Sequence, residues 1–145
     1  YRERARHLAN VIMPGWISRP QLYVLLRRSH IGLDPLPRRF DFLATINNKA
    51  IEYLSSGLPI ISCPRDGALF RLLQRESCGA SYMAADVDGL LGLLRALILD
   101  RERVAAMGAS ALRVYQASFN SERVYGNFVT YLERLAERAR QIARV

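Results

Sequence analysis

Lysine, cysteine and histidine are scarce in this chain of 145 residues. Lys49 is its single lysine, so arginine supplies the rest of the 21 basic side chains. The two cysteines, Cys63 and Cys78, form no C-x-x-C pair or Cys/His cluster, so we expect free core thiols and no zinc site. His7 and His30 lack a neighbouring metal-ligand cluster as well. No apolar run reaches the roughly 18 residues that a membrane span needs.

The charge is strongly positive, at +8. Such a balance favours anionic partners such as nucleotides or anionic lipid. The alternative is a general preference for arginine on solvated helix faces. The arginines are scattered, and adjacent pairs occur only at 27–28 and 38–39. Since no basic stripe carries interleaved aromatic side chains, nucleic acid is not an expected partner.

The length suits one domain with a real core. Short apolar runs alternate with helical periods, which predicts an α/β fold with a parallel sheet. We expect strands at 11–13, 31–36, 58–63 and 80–83, and helices at 20–29, 47–56 and 68–75. From Asp86 onward the pattern is helical. The boundaries follow as a main unit at 1–117 and a terminal helix of the same domain at 118–145. The first residue is Tyr1 rather than Met, so we expect a fragment.

The helix predicted at 47–56 carries the most informative polar groups. Asn47, Asn48 and Lys49 crowd into its start, and Glu52 follows about one turn later. A helix start offers unpaired N–H groups and a partial positive charge, which suits phosphate. A carboxylate one turn further in can accept hydrogen bonds from two sugar hydroxyls. The alternative is an ordinary amphipathic helix with a polar cap.

The same residues resemble the C-terminal half of a two-domain, GT-B glycosyltransferase of family 4, also called group 1. The family pattern E-x-x-x-x-G-x-P-[VI]-[IV] is similar to Glu52, Gly57, Pro59, Ile60 and Ile61. The N-K-x-x-E-Y pattern of one subset matches Asn48, Lys49, Glu52 and Tyr53. Upstream, 10–16 is similar to the family's N-V-x-x-x-G-[WY] loop. The resemblance extends from about residue 8 to residue 135.

The resemblance implies a Rossmann-like parallel sheet with helices on both faces, half of a GT-B fold, followed by C-terminal helices. By this likeness, Glu52 would bind the ribose hydroxyls of a nucleotide sugar. Backbone N–H groups around Ile46, Asn47 and Asn48 would hold the diphosphate, and Asn48 and Lys49 could add side-chain donors. Lys49 could equally be a solvated charge.

The resemblance also bears on an upstream loop and on position 44. The loop residues Gly15, Trp16 and Ile17 would lie beside the nucleotide, at the carboxyl end of a strand. Plain packing is an equal alternative for Trp16. The family's first glutamate, in the spacing E-x7-E, falls at Ala44. This departure leaves the nucleotide role intact and puts the contacts to the donor sugar in doubt.

The expected activity is retaining transfer of a sugar from a nucleoside diphosphate to an acceptor hydroxyl, with no metal and no cofactor besides the donor. The acceptor would be a glycan or a lipid-linked sugar in surface polysaccharide synthesis, held by an N-terminal domain missing here. The isolated fragment would then be inactive. We expect a cytoplasmic location that allows contact at the inner face of the membrane.

A non-catalytic nucleotide- or partner-binding α/β module remains the alternative function. A membrane-surface module is a weaker one. The D-x-D run at 86–88 opens a leucine-rich helix, so we interpret Asp86 as a helix cap and not as a metal ligand.

Overall fold

The computed structural model describes residues 2–142, apart from the side chain of Arg2. Its strands are β1 (Gly32–Pro35), β2 (Ile60–Cys63) and β3 (Gly79–Ser81). Its α-helices are α1 (Arg2–Ala5), α2 (Arg19–Arg28), α3 (Phe40–Leu43), α4 (Asn48–Ser55), α5 (Gly67–Glu76), α6 (Val87–Leu99), α7 (Arg101–Val114) and α8 (Ser121–Ile142). A π-helical turn, Tyr115–Phe119, joins α7 to α8.

The three strands form one parallel sheet in the order β1-β2-β3. Gly32 and Leu36 donate their N–H groups to the carbonyls of Pro59 and Cys63. Because successive residues of a strand point their backbone groups to opposite sides, Leu33 and Pro35 face the open side of β1. Proline has no N–H to leave unpaired there, which suits an edge strand.

Helices cover both faces of the sheet. Ile60 and Ile61, neighbours in β2, are fully buried in two different clusters. The first cluster joins α4, α5 and the end of α7: Ala50, Leu54, Ile60, Leu69, Leu72, Leu73, Cys78, Ala111 and Val114. The second is built on α6: Ile61, Leu97 and Met107, with Leu90, Leu93, Leu94 and Val104 packed against them. The predicted α/β class with a parallel sheet is therefore confirmed.

Capping side chains fix the starts of the three long helices. Asp86 accepts a hydrogen bond from the N–H of Gly89 at 2.8 Å, so its predicted role as a cap is confirmed. Asp100 accepts from the N–H of Arg103 at 2.9 Å in the same way. Asn120 lies 3.3 Å from the N–H of Arg123 and begins α8. Each side chain satisfies a donor that the helix itself leaves open.

The strand predicted at 11–13 is wrong. This segment is irregular, and Ile12 is 86% exposed. A three-residue apolar run needs a neighbouring strand to pair with, and within residues 2–142 it pairs with neither edge of the sheet. Helix α2 forms where it was expected but has no buried residue. The segment between β1 and α4 contains the single helical turn α3.

The cysteines are free and buried, as predicted. Cys63 ends β2, whereas Cys78 precedes the Gly79 that lies opposite Ile60 in the parallel register. The two residues therefore lie about four strand positions apart, roughly 13 Å along the sheet. Their Cα atoms are beyond the reach of a disulfide bond, which requires less than about 7 Å.

Candidate nucleotide-binding site

The start of α4 lies at the carboxyl ends of the strands, because α4 connects β1 to its parallel neighbour β2. Asn47 is its N-cap. The Oδ1 of Asn47 accepts a hydrogen bond from the N–H of Ala50 at 2.8 Å. Its Nδ2 donates to Oδ2 of Asp34 at 2.7 Å. One side chain thus satisfies the helix start and ties it to β1.

Asp34 is a fully buried carboxylate in β1. Lys49 Nζ lies 2.8 Å from its Oδ1, and this pair is the charge compensation that the buried group requires. The single lysine of the chain therefore balances an internal charge at the start of α4.

Tyr53 packs the second half of α4 onto β1. Its ring lies over Gly32, where an added Cβ would come within 2.5 Å of ring carbons. Its hydroxyl donates to the carbonyl of Leu33 at 3.2 Å, on the open edge of β1. Burial raises the pKa of Tyr53; the charges of Asp34 and Glu52 also raise it, and Lys49 opposes them. These charged side chains therefore all lie close enough to act on the Tyr53 hydroxyl.

Some polar groups at the start of α4 have hydrogen-bond or ionic partners, and others have none within the described residues. The N–H groups of Asn48 and Lys49, in the first turn, have no carbonyl partner within the helix. Glu52 is exposed, and its carboxylate makes no hydrogen bond or ion pair within residues 2–142. Asn48 is exposed too, whereas Ile46 packs half-buried against the first core cluster. The open groups are two N–H donors and a carboxylate about one turn beyond them.

The C-terminal end of α4 is fixed by a glycine and two backbone hydrogen bonds. Gly57 adopts a φ of +68°, which favours glycine. The N–H of Leu58 donates to the carbonyl of Tyr53 at 3.0 Å, and that of Gly57 donates to Leu54 at 3.1 Å. This pattern is a Schellman motif, which ends the helix and turns the chain into β2. The predicted stop at Gly57 is confirmed.

The loop that contains residues 15–17 makes fewer contacts with the rest of the fold. Gly15, Trp16 and Ile17 lie in the irregular segment between α1 and α2. Trp16 is 99% exposed, so the packing that could have explained it does not occur in the described part of the chain. Within residues 2–142, no backbone hydrogen bond or ion pair joins Gly15, Trp16 or Ile17 to α4. Its contact with a nucleotide stays a prediction.

The loop after β1 keeps its charges paired. Ala44 is exposed at the end of α3 and offers no carboxylate where the family pattern has one. Arg39 lies 3.0 Å from Asp41, and Arg38 lies 3.4 Å from Asp66. Both pairs lie on the surface.

Sequence reasoning missed the role of Asp34. The signal was present, since an acidic residue inside an apolar, strand-like run at 31–36 requires a partner once it is buried. Its partner could not be read from spacing because Asn47 and Lys49 lie 13 and 15 residues away, beyond a loop.

No family model, no curated protein and no solved structure matches the chain. No helix in the described residues has both the length and the hydropathy to cross a membrane. The motif and the geometry around α4 are the indications of function that remain.

Proposed function

We propose that this chain is the donor-binding part of a GT-B glycosyltransferase, which binds a nucleoside-diphosphate sugar and transfers the sugar to an acceptor hydroxyl with retention. The observation that carries the proposal is the pairing of open N–H donors at the start of α4 with the unpaired, exposed Glu52. Four residues separate Asn48 from Glu52, or about 6 Å along the helix axis. That spacing suits a diphosphate at one end and ribose hydroxyls at the other.

The contribution to catalysis would be electrostatic. A departing diphosphate gains negative charge, and fixed N–H groups at a helix start stabilise such charge without reorganising. The contacts from Asp34 to Asn47 and Lys49 hold that helix start in place before any ligand binds. Lys49 is half-exposed, so its ammonium could also face a bound phosphate while it remains paired with Asp34.

A non-catalytic nucleotide-binding module is the second candidate, and Ala44 is the observation that favours it. The missing carboxylate removes one contact to the donor sugar that the family pattern supplies. Both candidates require nucleotide binding at α4, and only the first requires sugar transfer. If the chain belongs to a transferase, the acceptor would be a lipid-linked sugar or a polysaccharide at the cytoplasmic face of the membrane.

The test is binding of UDP, GDP, ADP and dTDP to this chain, measured by thermal shift and then by calorimetry. We expect one nucleotide to stabilise the protein. Glu52→Ala should weaken its binding by about 10- to 100-fold, since a charged hydrogen bond contributes about 1.5–3 kcal/mol. Glu102→Ala, in the first turn of α7, is the matched control and should have no effect. Equal affinity of the Glu52→Ala and parent proteins would refute the assignment.

A further inference from the structure

Helix α8 exposes a broad apolar stripe. It spans 22 residues, about 33 Å, and has no buried residue. The exposed apolar and aromatic side chains are Val124, Tyr125, Phe128, Val129, Tyr131, Leu132, Leu135 and Ile142. Their exposed fractions run from 42% to 77%. Exposed apolar surface on this scale marks an interaction site.

The spacing within the stripe is that of a helix that packs along another helix. Apolar side chains recur alternately every three and four residues, at Tyr125, Phe128, Leu132, Leu135, Ala139 and Ile142. This is the a/d pattern of a coiled-coil seam. Val129 and Tyr131 flank the seam and widen it.

We infer that α8 pairs antiparallel with α8 of a second copy of this chain. When the two seams run in opposite directions about a centre between Leu132 and Leu135, every apolar position faces another. Tyr125 then faces the partner's Ile142, Phe128 faces the partner's Ala139, and Leu132 faces the partner's Leu135. Each layer occurs twice because of the two-fold symmetry.

Side-chain volumes favour the antiparallel arrangement over the parallel one. A parallel pair would place Phe128 against Phe128 and leave Ala139 against Ala139, which crowds one layer and underfills another. The antiparallel pair sets the largest seam residue against the smallest, so the layers fill evenly. The opposed helix dipoles also attract each other in the antiparallel pair.

The available area is enough for a dimer. The eight exposed side chains would each present about 150–200 Å² if fully uncovered, so together they leave roughly 800 Å² open per copy. That is about what one partner contributes to a standard protein interface. Each half of α8 carries both signs of charge, so no block of like charges faces another in the antiparallel pair. The N-terminal half has Glu122 and Arg123, and the C-terminal half has Glu133, Arg134, Glu137 and Arg138.

The first test is the molecular mass in solution, measured by light scattering or sedimentation over a dilution series. We expect twice the 16.5 kDa of one chain at high concentration. The double variant Leu132→Glu, Leu135→Glu should be monomeric. It should keep the parental helix content and melting behaviour at low concentration, since neither residue is buried. Asn127→Glu with Thr130→Glu places two acidic residues on the opposite face, and this control should still dimerise.

The second test determines the direction of the pairing by disulfide cross-linking. Tyr125→Cys combined with Ile142→Cys should give a covalent dimer under mild oxidation, whereas Tyr125→Cys alone should not. Within one helix the two positions lie about 25 Å apart, so they cannot bridge to each other. The native cysteines are buried and do not compete. A monomeric parent chain, or efficient cross-linking of Tyr125→Cys alone, would overturn the proposal.

Discussion

Lys49 Nζ lies 2.8 Å from Oδ1 of Asp34, and this pair connects the candidate site to the core. Asp34 is fully buried, whereas the Lys49 side chain is 46% exposed. The lysine therefore reaches from the solvent side of α4 down to a carboxylate inside the sheet. Such a pair is costly to break from one side, because the remaining buried charge has no partner.

We predict that Lys49→Met lowers the free energy of unfolding by about 2 kcal/mol, somewhat less than for a fully buried pair because water reaches the lysine. The double variant Asp34→Asn, Lys49→Met removes the charge of both residues. It keeps an acceptor for Asn47, so it should recover much of the loss. Urea denaturation of the four proteins of this cycle measures the coupling.

The exposed pair Arg39–Asp41 is the control for that cycle. Arg39→Met should change the free energy of unfolding by at most about 0.5 kcal/mol, as is usual for solvated ion pairs. If the Asp34/Lys49 double variant is as unstable as both single variants added together, the two residues are not coupled and our account of the site is wrong.

The Asn47 side chain caps α4 and donates a hydrogen bond to Asp34, and substitutions can separate these two roles. Asn47→Ser keeps an oxygen to cap α4 but loses the amide Nδ2 that donates to Asp34, so it should cost about 1 kcal/mol. Asn47→Asp also caps well, yet it sets a second carboxylate against Asp34 at the 2.7 Å contact. We therefore expect Asp to be the more destabilising of the two, measured by urea denaturation. On capping preference alone, Asp and Ser would be equal.

Local sequence signals predicted the helices well where capping residues mark their ends. Asn47 and Gly57 fix both ends of α4, and Asp86 and Asp100 cap the helices that follow. Each of these contacts joins residues that are at most five positions apart, so a short stretch of sequence contains both partners. The open N–H groups at the start of α4 follow from the same local signals.

Contacts between distant residues could not be predicted in this way. The bonds from Asp34 to Asn47 and Lys49 depend on how α4 docks on β1. The segment 11–13 has strand-like composition, but strand formation depends on a neighbour to pair with, which composition does not report. The nucleotide contacts proposed for Gly15 to Ile17 depend on the same docking and stay predictions.

Two glycines in helix interiors should respond to alanine in opposite ways. At Gly108 in α7, an added Cβ would lie 2.5 Å from the carbonyl oxygen of Gly57, which is backbone and cannot move aside cheaply. Gly108→Ala should therefore cost about 1–3 kcal/mol. At Gly92 in α6 nothing lies within 4 Å of the added atom. Gly92→Ala should stabilise the protein by about 0.5–1 kcal/mol through helix propensity.

Thermal or urea unfolding of the two alanine variants checks this prediction. The close approach at Gly108 holds α7 against the turn that ends α4, so its disruption should also lower the affinity for any nucleotide that binds at α4. A Gly108→Ala protein as stable as the parent would show that α7 can shift away from Gly57 at little cost.

The stability of the fold should fall at alkaline pH. Burial raises the pKa of the Cys78 thiol from 9.0 to about 11. The unfolded chain therefore loses this proton at a lower pH than the folded chain, and the stabilisation is present below pH 9 and lost as the pH rises toward 11. Two pKa units correspond to about 2–3 kcal/mol. The raised pKa of Tyr53, also caused mainly by burial, adds to the loss above pH 10.

Urea denaturation at a series of pH values between 7 and 11 should show the free energy of unfolding falling as the pH rises. Cys78→Ala should make this fall less steep between pH 9 and pH 10, whatever its effect on stability at neutral pH. An unchanged slope in Cys78→Ala would mean that the buried thiol does not set the alkaline limit of the fold.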